Sequence, residues 1–125
     1  MILVISPAKT LDLSEDTRYT QRHSQPLLLD ESKRLVDQLM QLDPHALGEL
    51  MHISDDLAKL NYDRYQQFTT PFSPKNAKQA LLTFNGDVYT GLDLATYQES
   101  EFDYSQQHLR ILSGLYGVLR PLDLI

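Results

Sequence analysis

The chain opens on an unbroken apolar run, Ile2-Leu3-Val4-Ile5, halted by Ser6-Pro7. A run this short, rich in β-branched residues and stopped by proline, predicts a buried strand that leaves into a loop. From Leu13 to Gln25 the pattern turns polar and aperiodic, which predicts a surface loop. Periodicity returns after Pro26: Leu28, Leu35, Leu39 and Leu42 recur at helical spacing with Val36 and Met40 beside them, the mark of an amphipathic helix. Asp43-Pro44 reads as an N-cap followed by proline at the first helical position, launching Ala46, Leu47, Leu50 and Met51 on one face. Ser54 repeats the device, with Asp55 and Asp56 suited to a helix N-terminus and Leu57, Ala58, Tyr65 and Phe68 as the apolar stripe. Ser73-Pro74 predicts a short helix through Asn76. Ala80 to Phe84 reads either as its continuation or as a second strand, and Asn85-Gly86 favours a turn after a strand. Ser100, with Glu101 and Asp103 in the first turn, predicts a last helix carrying Phe102, Leu109 and Leu112 and ended by Gly114. Strands and helices mix with helix in excess, so the fold class is α/β in the mixed α+β sense.

Composition narrows this picture. With 42% hydrophobic residues over 125 positions, the chain has apolar surface for one core. The expectation is a single domain over 1–125, or the N-terminal part of a larger one. Eleven Lys and Arg against 17 Asp and Glu leave a net charge of -6, which argues against bulk-charge coating of nucleic acid and confines any polyanion site to a local patch. The absence of cysteine excludes a disulfide framework and a thiolate metal site. The first apolar run is too short for a signal peptide and no later run approaches membrane-spanning length, so a soluble cytoplasmic protein without membrane contact is expected. The chain finishes on the apolar run Leu122-Asp123-Leu124-Ile125, which leads to the expectation of an exposed apolar end and of an N-terminal fragment.

Four stretches could carry chemistry. "ISPAKT" sets Lys9 just beyond a strand, where sheet proteins gather ligands, but it lacks the glycines of a phosphate-binding loop. A solvated lysine after a proline stop is the plainer reading. "FNGDVYTGLD" holds Asp87 and Tyr89 between Gly86 and Gly91, an acceptor and an aromatic on a constrained loop or an ordinary turn. His23, His45, His52 and His108 lack metal-ligand spacing, so no metal is expected. In "HLRILSGLYGVLRPLD", Gly114 and Gly117 admit two readings. They could end and pack a helix, or form a hairpin whose backbone N–H groups hold a phosphate, with Arg110 and Arg120 as flanking cations. The hairpin reading has defects. Two residues separate these glycines where a helix-hairpin-helix module has one, and Pro121 disfavours helical geometry at Arg120.

Taken in order, "ILVISPAKTLD", "FNGDVYTGLD" and "QQHLRILSGLYGVLRPLDL" resemble the YaaA family of peroxide-stress proteins. The resemblance spans the whole chain and about the first half of the family's usual length. It implies a family-specific mixed α/β fold with a helix-hairpin-helix-like element at about 100–125. It further implies a cytoplasmic DNA-binding protein that limits iron-dependent oxidative damage to DNA and protein. The expected partner is duplex or distorted DNA, recognised with weak sequence preference, and no cofactor is expected. By position the motif residues are Ser6 and Lys9, then Asp87 and Tyr89, then Arg110, Gly114, Tyr116, Gly117 and Arg120. Chemistry suggests their roles. Lys9, Arg110 and Arg120 would neutralise phosphates, Gly114 and Gly117 would admit the backbone, and Tyr116 or Tyr89 would stack on an unpaired base, with Ser6 as a further contact. The alternative is an enzyme acting on a nucleobase or nucleotide, with Asp87 as acid-base residue and Lys9 as electrostatic stabiliser.

Overall fold

The computed structural model describes residues 1–15 and 19–125. They divide into two compact units, one built from Met1–Leu29 and Pro71–Ile125, the other from Asp30–Thr70. The fold is mixed α+β, with six α-helices and two small sheets among the described residues.

In the first unit the opening apolar run does form a strand, β1 (Leu3–Ile5), and its partner comes from the far end of the chain. Strand β4 (Leu109–Ser113) lies parallel to it, with Leu3 opposite Leu109 and Ile5 opposite Ile111. Strand β5 (Gly117–Leu119) then returns antiparallel to β4. Leu109, Ile111 and Leu119 are buried while Leu112 and Val118 are exposed, the two-residue alternation of a sheet with one covered face. β1 is less buried than its composition predicts: Leu3 and Val4 are 52% and 56% exposed, because this strand sits at the sheet edge.

A second, two-stranded sheet pairs β2 (Thr10–Leu11) antiparallel with β3 (Phe84–Asn85). The stretch from Ala80 is neither a continuation of the Ser73 turn nor a strand throughout: residues 77–79 are not helical, a separate helical turn forms, α4 (Ala80–Thr83), and only Phe84 enters a strand, β3. The core groups Leu81, Leu82 and Phe84 with Tyr89, Phe102, Ile111 and Leu119. Helix α5 (Asp87–Leu92) occupies the stretch read as a constrained loop. Helix α6 (Glu99–His108) starts one residue before Ser100, on a capping box between Gln98 and Glu101.

Three expectations for this unit are corrected. The helix-hairpin-helix-like element at about 100–125 is not formed: α6 ends at His108 and residues 109–119 are a β-hairpin. Pairing with β1, a tertiary contact, overrides the helical spacing of Leu109 and Leu112. Ser73-Pro74 makes a single hydrogen-bonded turn, with the Asn76 and Ala77 N–H groups on the Ser73 carbonyl, and goes no further. The terminal apolar run is not exposed: Leu122 and Leu124 are 5% and 0% exposed, and Lys78 and Ile125 exchange backbone hydrogen bonds.

The polar stretch Leu13–Gln25 includes residues 16–18, which lie outside the described residues. Its described part is more than a surface loop. Thr20 is buried, and the Gln79 amide donates to the carbonyls of Thr20 and Arg22.

The second unit is helical. In α1 (Leu29–Leu39) the inward positions are Ser32 and Val36, while Leu35 projects outward. In α2 (Pro44–Met51) the Asp43 carboxylate caps the Ala46 N–H at 2.8 Å with proline in the first turn. Ser54 caps α3 (Asp55–Gln66) through the Leu57 N–H. Leu47 and Ala58 are the buried residues of these two helices.

Candidate functional site

The short β2–β3 pairing has a consequence for chemistry: it brings the loop after β1 against the stretch that opens α5. Thr10 stands opposite Asn85, and Gly86 lies so near that a Cβ on it would meet the Ala8 Cβ at 3.3 Å. The two segments are also pinned from inside. The Tyr89 hydroxyl donates to the Ser6 carbonyl at 2.6 Å, joining residues 83 positions apart. Tyr89 is only 6% exposed, and its ring packs on Phe84 at 5.6 Å between centroids. Burial pushes the phenol up to about 12, so near neutral pH it is an O–H donor and holds the loop.

Between these segments lies a cavity of about 290 Å³, lined by Ser6, Lys9, Asn85, Asp87 and Tyr89 among others. Lys9 is exposed and makes no hydrogen bond or ion pair with another described residue. Asp87, the first residue of α5, is likewise exposed and unpaired among the described residues. A cation, a carboxylate and an amide thus face one space with polar capacity to give. A second cavity of about 230 Å³ shares Asn85 and Tyr89 and includes Asp12, Thr90 and Asp93 in its lining. Hydrogen bonds from Ser14 and the nearby Lys78 ammonium hold Asp12 below the usual carboxylate range.

The third motif is arranged differently. Arg120 is bound to the chain's own Asp123: its Nη2 reaches Asp123 Oδ1 at 2.8 Å, its backbone N–H reaches Oδ2 at 2.8 Å, and Nη2 also donates to the Gln25 carbonyl. Asp123 is fully buried and accepts a further bond from the Ser24 hydroxyl at 2.6 Å. A guanidinium held this way neutralises a buried carboxylate rather than a ligand's phosphate. Arg110 turns back to the start of its strand, donating to the carbonyls of Gln106 and Leu109 at 2.9 and 2.7 Å, and no carboxylate among the described residues pairs with it.

The hairpin glycines differ from each other. Gly117 has a φ of +73°, a conformation that favours glycine, and its missing Cβ would meet only the movable end of the half-exposed Leu28 side chain, Cδ1, at 2.6 Å. Gly114 has open space around it. Tyr116 is half-buried and meets Phe72 edge to face at 6.3 Å.

A family model described as peroxide stress protein YaaA matches residues 1–125. The chain belongs to the YaaA family. Two of the three YaaA motif blocks meet in the structure, Ser6 and Lys9 with Asp87 and Tyr89, while in the third Arg120 is held by the buried Asp123, Arg110 bonds backbone carbonyls and Tyr116 packs on Phe72. Sequence reasoning missed Asp123 as an acceptor, although its position three residues after Arg120 is a signal for such a pair. It read Asn85 only as a turn residue. The buried Lys78, whose Nζ donates to the carbonyls of Asp12 and Ser14 at 2.9 Å each, had no local signal. Among the described residues no group of three or more His, Cys, Asp and Glu could hold a metal ion, and no helix is long and apolar enough to cross a membrane.

Proposed function

We propose that this YaaA-family chain serves the peroxide stress response by binding DNA, duplex or distorted and with weak sequence preference, and so limits iron-dependent oxidative damage to DNA and protein. The observation that carries this reading is the state of the cations. Lys9 and Arg110 have no carboxylate partner among the described residues, whereas Arg120 is committed to Asp123. In a chain of net charge -6, cations that no carboxylate neutralises are the groups able to neutralise phosphates. The test is the salt dependence of DNA affinity. Lys9→Ala and Arg110→Ala are each expected to lower the slope of log K against log salt by about one phosphate contact. Arg120→Ala is expected to leave the slope unchanged and to destabilise the fold by about 3 kcal/mol, since it strands a buried carboxylate. Unchanged slopes in both the Lys9 and Arg110 variants would overturn the assignment.

One observation favours a second reading, an enzyme acting on a nucleobase or nucleotide: Lys9 and Asp87 line the same cavity. Asp87→Asn keeps size and shape while removing a proton acceptor. Under the binding reading, peroxide survival persists in this variant; under the enzyme reading, survival is lost while DNA affinity is kept.

A further inference from the structure

We propose that the cavity between the Ser6–Thr10 loop and the start of α5 is a binding site for a nucleoside monophosphate, free or as one unstacked unit of a DNA strand. The inference deepens the second reading and rests on its site, though not on any reaction there. It starts from the mixture of groups that the two segments present. Lys9 supplies one unpaired ammonium, enough for one phosphate but not for a track of them. Asn85 is exposed beside it and offers both a donor and an acceptor, the pattern that matches the edge of a base. Asp87 accepts only, which suits a sugar hydroxyl or an exocyclic amine and repels a second phosphate. Val88, 53% exposed, adds an apolar surface for the flat face of a sugar or base.

Size and rigidity agree with this chemistry. About 290 Å³ lies near the lower limit of roughly 300 Å³ for small-molecule pockets, too little for a stretch of duplex. The walls are formed in advance: the Tyr89–Ser6 hydrogen bond and the close approach of Gly86 to Ala8 fix one segment against the other. A preformed site loses little conformational freedom when a ligand enters.

The test uses the whole chain and calorimetric titration with the four deoxynucleoside 5′-monophosphates, inorganic phosphate, and a short single-stranded oligonucleotide. At least one monophosphate is expected to bind at least tenfold more tightly than inorganic phosphate. Lys9→Ala should weaken that binding at least tenfold and Asn85→Ala severalfold, both positions being exposed and so open to change without unfolding. If the monophosphate competes with the oligonucleotide, the site takes a unit of the strand. If both bind without competing, it takes a free nucleotide, and DNA lies elsewhere. Inorganic phosphate binding as tightly as every monophosphate would overturn the proposal, because the base would then contribute nothing. Oligonucleotide binding that survives Lys9→Ala, with no monophosphate bound, would overturn it while leaving DNA binding intact. Absence of all binding would remove both readings together.

Discussion

Single residues in this chain have been given their tasks by what surrounds them. Tyr89 is aromatic and polar, and its environment decides between stacking on a ligand and holding the fold: with 6% of its surface exposed it holds. Its phenol, ordinarily near 10.0, is pushed to about 12 by burial. The folded state therefore keeps a proton that the unfolded state releases first, so the associated stability is fully present below pH 10 and fades as pH rises toward 12. Tyr89→Phe should remove this alkaline loss while costing about 1 kcal/mol at neutral pH for the hydrogen bond to Ser6. Melting curves between pH 7 and 11.5 would show a flatter alkaline limb in the variant. Parallel limbs would mean that Tyr89 does not couple titration to folding.

Among the elements, the β4–β5 hairpin answers why two glycines stand three residues apart. Gly117 ends the turn with positive φ against Leu28, and Gly114 merely lies in the turn. Gly117→Val should cost about 1–2 kcal/mol from backbone strain, the exposed end of Leu28 being free to move aside. A urea midpoint equal to that of the parent would contradict this account. Elements with local causes were legible in the sequence: the caps Asp43 and Ser54 bond N–H groups three residues on, within reach of any window. β4 was not. Its helical spacing of Leu109 and Leu112 is genuine, and pairing with β5 on one side and with β1, about a hundred residues earlier, on the other turns it into strand. α5 was hidden for a related reason, since Asn85-Gly86 signals a turn but carries no mark of the helix beyond it.

At the scale of the molecule, the fold class could be read from the pattern of short runs and caps, whereas the connections that organise the first unit could not. The Ser24–Asp123 bond spans 99 positions and the Lys78–Asp12 bond 66, and separations like these leave no periodic trace. The site was half legible for the same reason. Ser6, Lys9, Asp87 and Tyr89 stood out as motifs, but their meeting depends on four strand residues, Thr10-Leu11 and Phe84-Asn85.

Under the proposed function, phosphate contacts fall to the side chains of Lys9, at this junction, and Arg110, and not to the backbone of the Gly114–Gly117 turn. DNA affinity measured for Lys9→Ala and Gly114→Val side by side separates the two, because both positions are exposed and the space beside Gly114 is open. A valine there would block a phosphate from the turn's backbone while leaving the fold intact. Severalfold weaker binding with a lower salt slope is expected in Lys9→Ala, and parental binding in Gly114→Val. Parental binding in Lys9→Ala together with lost binding in Gly114→Val would place the phosphate at the turn's backbone and overturn the assignment to Lys9.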